Sequence, residues 1–121
     1  MINKLYAVCL LVQNFEKSLE FYRDQLGLTV NSTDGLYADF KLGDTLLGIF
    51  QKNEAASMFA PGYMNSGGGC VLAYQVADVE KSCLVLKEKG IEIFEGPKKT
   101  SWGQSVAYFK DPDNTIWELT T

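Results

Sequence analysis

Val12-Gln13-Asn14-Phe15-Glu16-Lys17-Ser18 returns as Val76-Ala77-Asp78-Val79-Glu80-Lys81-Ser82, at an offset of 64 residues. A seven-residue match gains weight from its surroundings: each copy has an apolar strand before it, and an amphipathic helix, a glycine and a further strand after it. In the first copy Leu5 to Val12 is an apolar run of strand length, and Asn14 is placed to accept hydrogen bonds from the free N–H groups that open a helix. Phe15, Leu19, Tyr22 and Leu26 make its apolar stripe, Glu16, Glu20, Arg23 and Asp24 stay outside, and Gly27 ends it at a position that favours positive φ. In the second copy Val71 to Val76 is the strand, Asp78 the cap, Val79, Cys83 and Leu86 the stripe, and Gly90 the stop.

Each helix is followed by a short β-branched run, Leu28-Thr29-Val30 or Ile91-Glu92-Ile93, and then by a hairpin. The first hairpin runs along Tyr37 to Leu42, turns at Gly43-Asp44 and returns along Leu46 to Phe50. The second runs along Ser105 to Phe109, turns at Asp111-Pro112-Asp113-Asn114 and returns along Ile116 to Leu119. The pattern predicts an α+β protein of two tandem βαβββ modules, residues 1–52 and 70–121, joined by a linker over 53–69. Such sheets, each with a helix on one face, are expected to form a curved mixed sheet around a concave cavity. A ferredoxin-like domain that only imitates a duplication is the competing topology.

The 46% hydrophobic and 21% charged content belongs to a globular chain, and 121 residues bury a core of one domain without staples. No apolar run approaches the roughly 20 residues that cross a bilayer, so no membrane partner is expected. A net charge of −4, with no basic run longer than Lys98-Lys99, argues against nucleic acid and is easier to reconcile with a neutral or cationic ligand. Cys9, Cys70 and Cys83 show no pairing pattern, which suits a reducing, cytoplasmic setting. Histidine is absent altogether, removing the commonest metal ligand and the usual neutral-pH base.

LLVQNFEKSLEFYRDQLGL near the start and YFKDPDNTIWEL at the end resemble the vicinal oxygen chelate superfamily of glyoxalases, bleomycin-resistance proteins and extradiol dioxygenases. The resemblance spans nearly the whole chain. It implies a divalent cation held by His or Glu from four strands. Carried over by spacing, those positions fall on Ala7, on Val71, at or near Gly48, and on Glu118, of which only Glu118 can ligate. One carboxylate does not hold a divalent ion against its water shell, so no metal and no cofactor is expected.

If Ala7 points inward, as the resemblance implies, strand alternation turns Cys9 and Leu11 the same way, then Val71, Ala73 and Gln75, then Val106, Tyr108, Ile116 and Glu118, with Leu46 and Phe50 alongside Gly48. Trp102, in the polar segment Lys98 to Gln104, has no core face to serve and is the leading ligand contact; a Trp plugging the sheet edge is the bland alternative. Cys9 lacks an activating histidine and reads as a small buried hydrophobe, while Tyr6, Tyr22 and Tyr74 fall on core-facing positions. Glu118 is either a structural partner of Tyr108 or Gln75 or the counter-charge for a basic ligand. The linker carries Met58, Phe59, Pro61, Tyr63, Met64 and three glycines, composition suited to a lid or a dimer contact.

The expected function is metal-free sequestration of a flat, partly apolar small molecule by a homodimer, with Trp102, Tyr108, Glu118, Phe50, Gln75 and Cys9 as ligand contacts. A metal-independent lyase or isomerase is the alternative, with Glu118 as general base and Tyr108 as hydrogen-bond donor. A third reading is a subunit that binds only protein.

Overall fold

The computed structural model describes residues 2–3, 5–55 and 70–121. The chain parts into two compact units, with the boundary between residues 67 and 68.

The first unit contains β1 (Ala7–Val12), α1 (Phe15–Leu19) continuing as a π-helical segment (Glu20–Gln25), β2 (Val30–Thr33), β3 (Tyr37–Leu42), β4 (Thr45–Gln51) and α2 (Lys52–Ala55). Its strands form a mixed sheet in the order β1-β4-β3-β2, in which β1 runs parallel to β4 and the other pairs are antiparallel. The second unit repeats this with β5 (Val71–Gln75), α3 (Val79–Glu88), β6 (Ile93–Lys99), β7 (Ser105–Lys110) and β8 (Ile116–Thr120), in the order β5-β8-β7-β6. Each unit is therefore βαβββ around an open four-stranded sheet.

Both helix starts follow from the repeated cap. Lys17 N donates to Asn14 Oδ1 at 3.1 Å, and Lys81 N donates to Asp78 Oδ1 at 3.0 Å. Gly27 and Gly90 end the helices at φ +84° and +87°, a conformation that costs a residue with a Cβ. Gln51 ties helix to sheet: its Oε1 accepts from Phe15 N at 2.8 Å and its Nε2 donates to Gln13 O at 2.6 Å. The helix side of the first sheet buries Val12, Ala38, Phe40, Leu47 and Ile49, with the Tyr22 and Phe40 rings 6.0 Å apart. In the second unit Val79, Cys83 and Leu86 bury as the stripe requires, and Trp117 stacks between Tyr74 at 4.5 Å and Phe109 at 6.4 Å.

The differences from the sequence reading are local. The first helix buries Phe15, Ser18, Phe21 and Tyr22, in place of a stripe through Leu19 and Leu26. The π-helical turn adds a residue per turn there, shown by Leu26 N donating to Phe21 O at 2.8 Å, and so brings two adjacent aromatics to the core. Tyr6, assigned to the core, is 71% exposed because β1 begins only at Ala7. The strands after the helices start later than their β-branched runs, at Val30 and Ile93. β6 then continues to Lys99 through a bulge at Gly96, joined to Pro97 by a cis peptide bond. A Cβ on Gly96 would lie 2.6 Å from Val106 O, so this close approach admits only glycine. Lys52 to Ala55 is helical, where the hairpin was expected to pass directly into a linker. Met58, Phe59, Pro61, Tyr63, Met64 and the three glycines lie outside the described residues. Among the described residues no helix is long and apolar enough to cross a membrane.

Tyr74 carries the one described buried side-chain polar atom without a hydrogen-bond partner, its hydroxyl, and burial pushes that phenol's pKa well above the usual value. Tyr74→Phe removes an unpaired polar group while keeping the ring on Trp117. We expect its urea midpoint to equal or exceed the wild-type value, by up to about 1 kcal/mol of stability.

Candidate functional site

Strand register fixes which side chains share a row on the helix-free face of each sheet. In the first unit Cys9 on β1 pairs with Gly48 on β4, which pairs with Asp39 on β3. In the second, Ala73 on β5 pairs with Glu118 on β8, which pairs with Tyr108 on β7. Gly48 is thus the register counterpart of Glu118. Ala7 and Val71 pair with Leu46 and Ile116 in the same way. Among these four positions only Glu118 carries a donor. Among the described residues no three His, Cys, Asp or Glu side chains gather closely enough to hold a metal ion. The residues present do not fit the divalent cation that the resemblance implies.

Glu118 is half-buried and lies opposite Tyr108 across the β7–β8 ladder. The phenol of Tyr108 is held above its ordinary pKa, first by hydrogen bonding to Glu118, then by burial and by the charges of Glu118 and Glu95. Phe94 lies 6.2 Å from the Tyr108 ring, and Lys110 Nζ sits 5.2 Å above Phe94. Gln75, at the end of β5, pairs in register with Thr120 and is exposed on the same face.

Trp102 is 73% exposed at the tip of the β6–β7 connection. The turn beneath it is built by Thr100 and Gln104. Thr100 N donates to Gln104 O at 2.8 Å, Gln104 N to Thr100 Oγ1 at 3.1 Å, and Gly103 N to Thr100 O at 3.1 Å. The indole Nε1 donates to Gln104 Oε1 at 2.6 Å, and Gln104 Nε2 anchors to Thr121 O at 3.2 Å. The ring is oriented by its polar edge and its faces remain available.

On the first unit, Phe50 is half-buried and packs edge-on against Tyr37 at 5.9 Å. Cys9 is exposed, a correction to its assignment as a buried hydrophobe: β1 is an edge strand and Cys9 points away from the helix. Partial burial of the thiol still raises its pKa, which keeps it protonated and unreactive at neutral pH.

Sequence reasoning missed a cluster beside Gly48. Asp39 is only 5% exposed, and its carboxylate accepts three side-chain hydrogen bonds. Asn31 Nδ2 and Ser32 Oγ donate to Oδ1, each at 3.0 Å, and the Tyr37 hydroxyl donates to Oδ2 at 2.7 Å. Burial alone would raise the Asp39 pKa, but the bonds from Tyr37, Asn31 and Ser32 prevail and hold it below the ordinary value. Tyr37 is pushed far upward by burial and by its bond to Asp39. Its ring covers Gly48, where an added Cβ would stand 3.2 Å from Tyr37 Cε2, 3.3 Å from the Tyr37 hydroxyl and 3.6 Å from Cys9 Sγ. The available signal was a buried-strand aspartate two residues from a tyrosine, opposite a glycine.

Returning a carboxylate to this position therefore means displacing an anchored ring. Gly48→Glu should lose about 1–3 kcal/mol in urea unfolding and gain no tight zinc binding by calorimetry.

Two open, mixed four-stranded sheets, each carrying a crossover helix, define the glyoxalase/bleomycin-resistance class of fold. The family model for the glyoxalase-like domain matches residues 5–121, and the chain belongs to that family, within the vicinal oxygen chelate superfamily. The uncharacterized protein YraH of Bacillus subtilis is 32% identical over 123 residues, covering 96% of both chains. Metallothiol transferase FosB of Staphylococcus epidermidis is 31% identical, over 100% of this chain and 85% of its own. A glyoxalase/bleomycin resistance protein/dioxygenase from Nocardioides superposes with a TM-score of 0.83 at 23% identity, covering 99% of this chain and 83% of its own.

Proposed function

We propose that this chain is a small-molecule binding protein of the glyoxalase/bleomycin-resistance type that works without a metal ion. It sequesters a flat, partly apolar ligand, either antibiotic-like or a metabolite. The observation that carries this reading is the residue set Ala7, Gly48, Val71 and Glu118, in which a methyl, a hydrogen and an isopropyl stand where ligands to a cation would be needed. The name of the FosB relative joins a metal to thiol transfer; one donor in four positions does not support carrying that activity over.

The second unit supplies the contacts best suited to a flat ligand. Trp102 offers exposed ring faces with its N–H already satisfied, Tyr108 adds a second aromatic surface, Gln75 a polar point, and Glu118 the charge that orients a basic group. Phe50 and Cys9 furnish the corresponding face of the first unit. The protein acts as a homodimer in the cytoplasm, the latter resting on three cysteines without a disulfide pattern.

Binding is read by quenching of tryptophan fluorescence across a panel of flat aromatic antibiotics and metabolites. A binder should lose at least tenfold in affinity in Trp102→Ala, about 1.4 kcal/mol, with an unchanged unfolding midpoint. Unaltered affinity in that variant would reject the assignment. The interaction between Tyr108 and Glu118 favours one second reading, an enzyme with Glu118 as base; turnover that survives chelator and vanishes in Glu118→Gln would establish it.

A further inference from the structure

We infer that the Tyr37 hydroxyl oxygen, fixed by Asp39 beside Gly48, recognises a nitrogen hydrogen-bond donor on the ligand: an ammonium, an amidinium or an amide N–H. This rests on the binding reading above and specifies the ligand chemistry that the first unit accepts.

A hydroxyl has one proton to give and two lone pairs to offer, whereas a carboxylate only accepts. The Tyr37 proton is committed to Asp39 Oδ2 at 2.7 Å, and Asp39 cannot turn away because Asn31 and Ser32 hold its other oxygen. What Tyr37 has left for a ligand is acceptor capacity alone. The pair keeps this arrangement through neutral pH, since the phenol pKa is raised and the carboxyl pKa lowered. Phe50, edge-on at 5.9 Å, makes one wall apolar, and the partial burial that first raises the Tyr37 pKa also strengthens a hydrogen bond made there. A carboxylate or phosphate at the same point would set lone pairs against lone pairs beside a buried negative charge.

The equivalent row of the second sheet carries the same chemistry from different strands. Tyr108 occupies the register position of Asp39, and Glu118 that of Gly48, so a phenol again lies beside a carboxylate. Each sheet thus presents acceptors where a cation-based site would present positive charge.

Benzamidinium and benzoate, probes of like shape and opposite polarity, separate the alternatives in amide chemical-shift titrations of the isotope-labelled protein. Benzamidinium should shift the amides of residues 37–39 and 48, with benzoate at least fivefold weaker there. Tyr37→Phe keeps the ring over Gly48 and should abolish the preference. Asp39→Asn can instead donate to the phenol oxygen, which turns the Tyr37 proton outward and moves the preference toward benzoate. Equal affinities in the wild type, a preference for benzoate, or a benzamidinium preference that survives Tyr37→Phe would overturn the inference. If neither probe shifts these amides while an aromatic ligand still quenches Trp102, this inference fails and the binding reading stands.

Discussion

Trp117→Ala is expected to lower stability by about 3–5 kcal/mol in urea unfolding, whereas Trp102→Ala should move it by no more than about 0.5 kcal/mol. Trp117 is 3% exposed and its ring is near-parallel to both Tyr74, at 13°, and Phe109, at 12°. Removing it empties a volume that β5, β7 and α3 cannot all close upon, so a cavity adds to the lost transfer energy. Trp102 leaves only a solvated turn that Thr100 and Gln104 hold through their own bonds. Comparable losses for the two variants would mean that Trp102 is a structural plug and would remove the strongest ligand contact from the account.

The second large effect concerns Asp39. Asp39→Ala leaves the half-buried Tyr37 hydroxyl without its acceptor and removes the bonds that Asn31 and Ser32 donate from the exposed strand β2, and we expect a loss of about 1–3 kcal/mol at neutral pH. Its folded-state pKa lies below the ordinary value of 3.8, so the carboxylate's stabilisation is fully present above that pH and disappears as pH falls through the folded value. Tyr37 works in the opposite limb. Its folded pKa lies above the ordinary 10.0, so its contribution is complete below pH 10 and declines as pH rises beyond it. Urea midpoints measured against pH should show a flattened acid limb in Asp39→Ala and a flattened alkaline limb in Tyr37→Phe. Wild-type slopes retained in both variants would refute the network.

Features set by neighbours in sequence were legible without coordinates. Asn14 and Asp78 cap their helices because a short side-chain oxygen reaches an amide three residues on, a purely local geometry. The hairpin Tyr37–Leu42 to Thr45–Gln51 follows from its turn, and that turn fixes the register that places Gly48 in the row equivalent to Glu118. The Asp39 cluster was not legible in the same way. It draws on β2 and β3 and covers a residue of β4, and β2 pairs through a bulge between Val30 and Ser32 that no alternation rule locates. The π-helical turn at Glu20–Gln25 likewise breaks the regular period from which the Leu19 and Leu26 stripe was read. Exposure of Tyr6 and Cys9 depends on where β1 starts and on its place at the sheet edge, neither of which is set by residue type.

Native mass spectrometry of freshly purified protein weighs subunit number, bound metal and carried ligand in one spectrum. Metal-free binding requires dimer masses without divalent metal, with or without an organic adduct that gentle activation removes. A stoichiometric zinc, nickel, manganese or iron ion on each chain, retained after buffer exchange and lost in Glu118→Gln, would contradict it.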